Sequence, residues 1–499
     1  MIAWGSRYTG RVRWWLAAVI AAFFLLFYRL AGVGLLGPDE PRYAWVGRAM
    51  AGSGDWVTPR LWGEPWFEKP PLLYWITAAA FRAGLGPEAA PRLPVAALSA
   101  AFLLFYFWRM RAEFGPHAAA YASAVLATSA GWLVFSHAAV LDLPLAATFG
   151  ASMLLLLGLI EKPQRRDSRT LVAFGALLGL STLAKGLVGP ALAALALAAW
   201  AARAGWRELL FLARPGAWLA FAAVAAPWYL LCWWRSGNVF LAEFFWKHHF
   251  SRYAAGSLEH NQPVWFFAPV LAGMLLPWTP LAALLGRAAW SDRRDRRVRL
   301  LACWAATTFL FFSFSRDKLP GYVLPALPAI AALAGMALAR NQPARAPLAA
   351  CAALLALFGP AAAMLPAALE SGFRASLSDW KLPAAPLAAA AALTVLVWIL
   401  EHRGRRPAAV AAIALAAVAG YTMIQQYSFP ALDQRAGARA LWRKAEAHRD
   451  QLCLGEVRRH VAYGLHYYAG RRLPRCVDEP QPYRVENREI VQEAVPERR

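Results

Sequence analysis

Residues 171–202 read LVAFGALLGLSTLAKGLVGPALAALALAAWAA, an apolar stretch with one charge, Lys185, near its middle. Read as one helix it crosses a bilayer once. Read as two helices meeting at Ala184-Lys185-Gly186, it crosses twice. A lone lysine beside glycine is costly at the centre of a span but suits a polar tip, so the stretch is read as a hairpin, 171 to 183 and 187 to 202. Merging the two would turn the rest of the chain over.

Further apolar runs lie at roughly 14–31, 93–108, 117–134, 138–160, 215–234, 263–286, 300–315, 321–339, 346–369, 384–400 and 407–424. With the hairpin they give thirteen candidate spans, since about 20 helical residues match the hydrocarbon core. The apolar run 72–85 is too short to span and reads as an interfacial or re-entrant helix. The N-terminus, basic and then apolar from Trp14 to Leu30, is read as an uncleaved anchor. Composition agrees with a bilayer as solvent: 59% hydrophobic, 16% charged, 24 Trp and 27 Phe, with a mean hydropathy of +0.39. The net charge of +23 does not imply nucleic acid, because the bases sit in short clusters between apolar runs.

Those clusters test the topology. With a cytoplasmic N-terminus, the inside stretches carry 23 Lys/Arg in 68 residues and the outside loops 14 in about 117, the bias expected of inward-facing loops. The hairpin keeps Arg293, Arg294, Arg296 and Arg297 inside. The chemically dense segments then share the outer face: loop 32–92, the turn near His137, the Lys185 tip, loop 235–262, and Arg316 to Lys318. The expected architecture is an all-α polytopic membrane region, 1–427, followed by a small soluble α/β domain, 428–499. In that tail Leu452 to Val457, Arg458 to Ala469 and Leu473 to Val477 read as strand, helix, strand.

Five cysteines are too few for a disulfide scaffold. Cys232, Cys303 and Cys351 fall in apolar runs and read as small hydrophobes, whereas Cys453 and Cys476, 23 residues apart in the tail, are expected to pair in an oxidising compartment.

The first outer loop concentrates charge: Asp39-Glu40-Pro41-Arg42-Tyr43, Gly54-Asp55-Trp56, and Phe67-Glu68-Lys69-Pro70-Pro71-Leu72-Leu73-Tyr74-Trp75. A solvated amphipathic helix over 41–52 explains any one of these charges. A site explains them together, with a carboxylate accepting a proton from an attacking hydroxyl while Arg42 and Lys69 hold a phosphate. These segments resemble the first periplasmic loop of the bacterial 4-amino-4-deoxy-L-arabinose lipid A transferases and their relatives, which are GT-C membrane glycosyltransferases distantly similar to protein O-mannosyltransferases. Further matches follow in order: Val140-Leu141-Asp142-Leu143-Pro144, Leu183-Ala184-Lys185-Gly186, Glu259-His260-Asn261-Gln262-Pro263-Val264-Trp265, and Asp317-Lys318-Leu319-Pro320-Gly321-Tyr322. The likeness covers roughly residues 10–330. The chain departs from it at Pro41, where relatives carry a small residue, and in a shorter tail, where acceptor recognition is expected to differ.

The resemblance implies transfer of a sugar from a polyprenyl phosphate donor to a lipid, glycan or protein acceptor, by inverting displacement at the outer side of a bacterial inner membrane. Lipid A is one candidate acceptor. Asp39 is the expected base, the alternative being a helix N-cap; Glu40 orients it or binds a cation. Asp142, at the outer end of an apolar run, is the second catalytic acid, orienting or metal-binding. Tyr43 and Glu68 join the substrate face, and Arg42, Lys69, Lys185 and Lys318, on several outer segments, are expected around the donor phosphate, where fixed cations stabilise a departing anion. His249 and Arg252 are assigned phosphate or sugar contact; with His248 they lack the ligand set of a zinc site. The residues assign no definite cofactor, and a divalent metal is compatible with them. Two rival readings share the topology, a transporter and a lipid-linked glycan polymerase or ligase. Against a transporter, the polar residues cluster in outer loops and no matching broken helices repeat.

Overall fold

The computed structural model describes residues 20–161, 167–246, 262–340, 342–371 and 384–492, apart from Ala22, Phe245 and Asp292. The expected hairpin turns at Gly186. The helix Ser168–Lys185 ends there and the next runs Val188–Ala204. Gly186 has φ +77° and ψ −148°, a conformation essentially reserved for glycine, so the backbone reverses just after the lysine.

Eight described helices are long and apolar enough to cross a membrane, nine if the bent pair Val264–Met274 and Thr279–Gly286 makes one span. The longest, Ala89–Ala127, contains a break at Gly115, φ +86°, followed by Pro116, which coincides with the turn expected between two runs. Burial separates core from periphery. Asp142–Glu161 and Pro320–Ala339 are 94% and 83% buried over their apolar windows, while Ala384–His402 is 17% buried and presents most of its surface outward, as a lipid-facing helix does. Polar atoms in the packed region find internal partners: Tyr106 donates to the Pro328 carbonyl at 2.8 Å and Trp304 Nε1 to the Pro325 carbonyl at 2.8 Å.

The charged loop builds a compact cap. It comprises the helix Asp39–Ser53, a two-residue hairpin of β1 (Arg60–Leu61) with β2 (Glu64–Pro65), and the helix Leu72–Arg82. The first helix starts two residues earlier than expected, and the 72–85 run forms a short helix as read. Asp55 Oδ1 accepts the Val57 and Thr58 amides at 3.0 and 3.1 Å and pairs with Arg235 at 2.7 Å. That ties the cap to the long helix Pro215–Leu241.

The last long helix, Arg406–Arg435, runs through position 427, so the expected domain boundary falls inside it. Beyond it come the helix Arg439–Ala445, β3 (Leu452–Leu454), the helix Arg459–Ala469, β4 (Tyr483–Glu486) and β5 (Glu489–Gln492). The sheet order is β3-β4-β5, the first pair parallel and the second antiparallel. The strand expected over 473–477 is corrected to one bridge, Arg475 to Leu454. Pro474 has no amide to donate and a turn begins at Arg475, so the true neighbour of β3 is β4. Cys453 and Cys476 are disulfide-bonded with Cα atoms 5.0 Å apart, as expected. Arg439 fastens this region to the membrane portion by reaching Asp433 at 2.9 Å, Glu88 at 3.4 Å and the Ala31 and Gly32 carbonyls.

Candidate functional site

Asp39 is the first residue of its helix, and the cap position belongs to Pro38, which offers no side-chain acceptor. The carboxylate of Asp39 does not cap. It pairs with Arg42 one turn on, and Arg42 also reaches Glu68 at 3.3 Å, with Lys69 3.7 Å from the other Glu68 oxygen. Two loop segments separated in sequence thus join in an alternating chain of four charges. Asp39 is the accessible member, its side chain 37% exposed against 7% for Arg42. Burial by itself would lower the Arg42 pKa, but neighbouring Tyr43, Glu68 and Asp39 raise it well above the ordinary value, so the guanidinium is a fixed cation. Its Nε is buried without a hydrogen-bond partner among the described residues. The Tyr43 phenol is pushed far up by burial, reinforced by Asp39, and stays neutral.

Glu40 faces away from this chain. One oxygen accepts Arg92 Nε at 2.9 Å and the Ala139 amide at 2.8 Å, the other Arg92 Nη2 at 2.7 Å and the Leu36 amide at 2.7 Å. The side chain is 5% exposed. The cation contact expected of Glu40 is therefore corrected: these four bonds occupy the carboxylate. Arg92 adds bonds to the Leu30, Val33 and Gly34 carbonyls. Sequence reasoning missed this partner; the available signal was an arginine at the mouth of an apolar run.

Through Ala139 the same knot reaches the turn that leads into Asp142. Asp142 begins the most buried helix, and its Oδ1 lies 2.5 Å from Lys185 Nζ at the hairpin tip. Lys185 also sits 4.7 Å from the Tyr322 ring centroid. Gly321 is required beside this pair, because a Cβ there would come within 2.6 Å of Asp142 Cγ and 2.8 Å of Phe135. Phe67, preceding Glu68, shares a small apolar cluster with Leu183, two residues before Lys185. That cluster links the loop segment carrying Glu68 to the helix carrying Lys185.

Lys318 is placed differently from expectation. It is 5% exposed and donates to the Ser315 carbonyl within its own loop, with burial lowering its pKa. Adjacent Asp317 is 2% exposed, and neither carboxylate oxygen has a partner among the described residues. His249 and Arg252, with His248 and His260, lie outside the described residues. Among the described residues no group of three or more His, Cys, Asp or Glu is arranged to hold a metal.

The tail also borders the site. Arg42 Cζ lies 5.9 Å from the Tyr463 ring centroid, Tyr463 is 5.2 Å from Trp62 on the β1–β2 hairpin, and Trp62 is 5.0 Å from His466.

Residues 12–255 match the family described as dolichyl-phosphate-mannose-protein mannosyltransferase. Among curated proteins, the chain is 37% identical over 332 residues to an undecaprenyl phosphate-alpha-4-amino-4-deoxy-L-arabinose arabinosyl transferase of Pseudomonas aeruginosa, covering 64% of this chain and 58% of that one. A transferase of the same name from Edwardsiella ictaluri is 32% identical over 328 residues, with 63% and 58% covered. The chain thus spans somewhat under two thirds of the length of these relatives. The crystal structure of ArnT from Cupriavidus metallidurans bound to undecaprenyl phosphate superposes with a TM-score of 0.75 at 29% identity, over 92% of this chain and 85% of that one. The oligosaccharyltransferase AglB of Archaeoglobus fulgidus shares the fold at 16% identity and a TM-score of 0.54, over 94% of this chain and 65% of that one. The fold is the GT-C-like one that the loop motifs implied, and the chain is a multi-pass membrane protein.

Proposed function

We propose that this chain, whose first half matches the mannosyltransferase family and whose fold is shared with an arabinosyl transferase, moves a sugar from a polyprenyl phosphate to an acceptor at the outer membrane face. One observation carries the reading. A partly exposed carboxylate, Asp39, stands at the end of a chain of fixed charges through Arg42 and Glu68 to Lys69, beside a second acid–base pair, Asp142–Lys185. The solved relative with undecaprenyl phosphate bound shares the overall fold.

In the proposed displacement, the acceptor oxygen attacks the anomeric carbon while Asp39 takes its proton. The bond from the anomeric carbon to the phosphate oxygen breaks with inversion, and polyprenyl phosphate leaves. Charge gathers on the departing phosphate, so Arg42, Lys69 and Lys185 stabilise the transition state more than the ground state. Their carboxylate partners hold these cations in place beforehand, which avoids reorganisation at the moment of reaction. Glu40 and Arg92 supply the rigid base on which Asp39 stands.

The sugar, whether pentose or hexose, and the acceptor follow from comparing the host's glycolipids and glycoproteins with and without this gene by mass spectrometry. A mass difference of one sugar on one class of acceptor supports the transferase. Unchanged glycolipids and glycoproteins, with altered uptake or efflux of a solute instead, would favour a transporter.

A further inference from the structure

A cavity of about 230 Å³ opens where the tail meets the ends of two membrane helices. Arg435 closes the long helix Arg406–Arg435, and Glu370 is the penultimate residue of the helix Phe358–Ser371. From the tail come Glu456, Arg458 and His460, around the start of the helix Arg459–Ala469, and Arg488, at the tip of the β4–β5 hairpin. None of these residues belongs to the charge chain at Asp39 or to the Asp142–Lys185 pair.

Arg488 is the unusual residue. Asn487 and Arg488 have φ +45° and +68°, and a two-residue hairpin turn of this kind normally places glycine second. A long side chain persists there only where its surroundings hold it. Its Nη2 donates to the Gln434 carbonyl at 3.1 Å and to the Gly437 carbonyl at 2.6 Å, at the end of the membrane helix. That docking accounts for one arm of the fork. The other, Nη1, is buried without a hydrogen-bond partner among the described residues, a cost that a bound anion removes.

The charges around it are unbalanced. Arg458 donates to the Glu370 backbone carbonyl, and among the described residues Arg435, Arg458 and Arg488 take part in no ion pair, although Glu370 and Glu456 line the same cavity. Burial lowers the Arg488 pKa, with Glu370 opposing and Arg458 adding to the effect. Burial, Arg488 and Arg458 together lower that of His460, which is therefore neutral at neutral pH. The helix Arg459–Ala469 adds its positive end, with no acidic residue in its first turn and no side-chain cap.

The cavity also lies at the membrane boundary. Leu369, beside Glu370, is 50% exposed, and Tyr427, about two turns before Arg435, is 72% exposed; on membrane helices that is lipid-facing surface with an interfacial aromatic. The volume falls below the roughly 300–1,000 Å³ of a pocket that encloses a small molecule, so it takes a head group while the chains stay in the bilayer.

We propose that this cavity binds the phosphate of an anionic glycerophospholipid, with Arg435, Arg458 and Arg488 as its ligands and the acyl chains against the spans that carry Leu369 and Tyr427. Guanidinium forks match phosphate oxygens in pairs, and basic pockets beside membrane helices favour anionic head groups. The bound lipid ties the tail to the membrane portion. It takes no part in sugar transfer, so the site stands or falls apart from the transferase reading.

The test uses the full chain in phosphatidylcholine nanodiscs with a trace of phosphatidylglycerol carrying a photoreactive head group, the crosslinks being mapped by peptide mass spectrometry. Label should concentrate at positions 456–461 and 487–488. Unlabelled phosphatidylglycerol should displace it at a tenfold or more lower concentration than phosphatidylethanolamine, and inorganic phosphate should not displace it. Arg435→Gln, at an exposed position, should keep the melting temperature and lower this labelling at least fivefold. Arg488→Gly, which suits the left-handed turn, should lower it as much, and Glu456→Gln, which removes a repelling charge, should raise it twofold or more. Displacement by inorganic phosphate would make this a free-phosphate site and overturn the lipid. Equal displacement by phosphatidylethanolamine, label spread evenly over the spans, or labelling indifferent to Arg435→Gln and Glu456→Gln would leave the cluster a plain docking contact and overturn the site.

Discussion

Lys185 Nζ stands 2.5 Å from Asp142 Oδ1, joining the tip of one helical hairpin to the first residue of the most buried helix. On the proposed mechanism the pair has both a structural and a catalytic side, and mutation separates them. Lys185→Ala alone leaves Asp142 without its cation, so stability and turnover should both fall. Loss of one preorganised charge costs about 10²–10³ in rate. The double variant Asp142→Asn, Lys185→Gln should recover much of the melting temperature without recovering turnover. If turnover returned with stability, the pair would be only a strut.

Glu40 and Arg92 are expected to matter for folding. Both are buried, and removing one partner of such a pair typically costs about 3–5 kcal/mol. Glu40→Ala should therefore lower thermal stability in detergent sharply, and Glu40→Gln less, since the amide keeps one acceptor. A Glu40→Ala protein that melts like wild type would refute the positioning role.

The tail should be acid-sensitive. His466 accepts the Leu473 amide at 3.0 Å, and burial, with Arg472 nearby, lowers its pKa from 6.5 to about 4. The unfolded tail takes up the proton first, so His466 favours folding above pH 6.5 and loses that contribution as pH falls from 6.5 to about 4. The full difference is on the order of 3 kcal/mol. Hydrogen exchange of residues 452–473 should accelerate across that window, and His466→Gln should flatten the response.

Orientation has its own check. Glu64, on the hairpin, and Glu486, in β4, are both exposed or half-exposed. Cysteines placed there should react with an impermeant maleimide on intact cells. Labelling only after lysis would reverse the outside assignment.

Much of the membrane portion was legible because a charge inside an apolar run is costly and has to be explained: Lys185 marked the hairpin and Asp142 the start of a helix. The loop motifs located Asp39, Arg42, Glu68 and Lys69 as a group. What escaped was long-range pairing. Nothing local to Glu40 reveals Arg92, 52 residues on, or the Ala139 amide. The β4–β5 hairpin was missed because its turn, Asn487-Arg488, has both residues at positive φ without a glycine to announce it. Trp62 takes a left-handed backbone, φ +55°, which a bulky aromatic does not announce even with Gly63 after it. The placement of Tyr463 beside Arg42 depends on how the tail docks, which periodicity does not encode.

The central claim is that Asp39 is the base of a polyprenyl-phosphate-dependent transfer, and the most direct measurement is turnover of a radiolabelled undecaprenyl-phosphate sugar by purified protein in nanodiscs, with host membrane extract as acceptor. Wild type should release undecaprenyl phosphate and label the acceptor. Asp39→Asn should bind the donor with near-normal affinity and lose transfer by 10² or more, because the amide cannot take the acceptor's proton. Lys69→Ala should weaken donor binding and turnover together, since it removes a charge facing the phosphate in both states. Near-normal transfer by a folded Asp39→Asn protein would contradict the account and pass the catalytic role to Asp142.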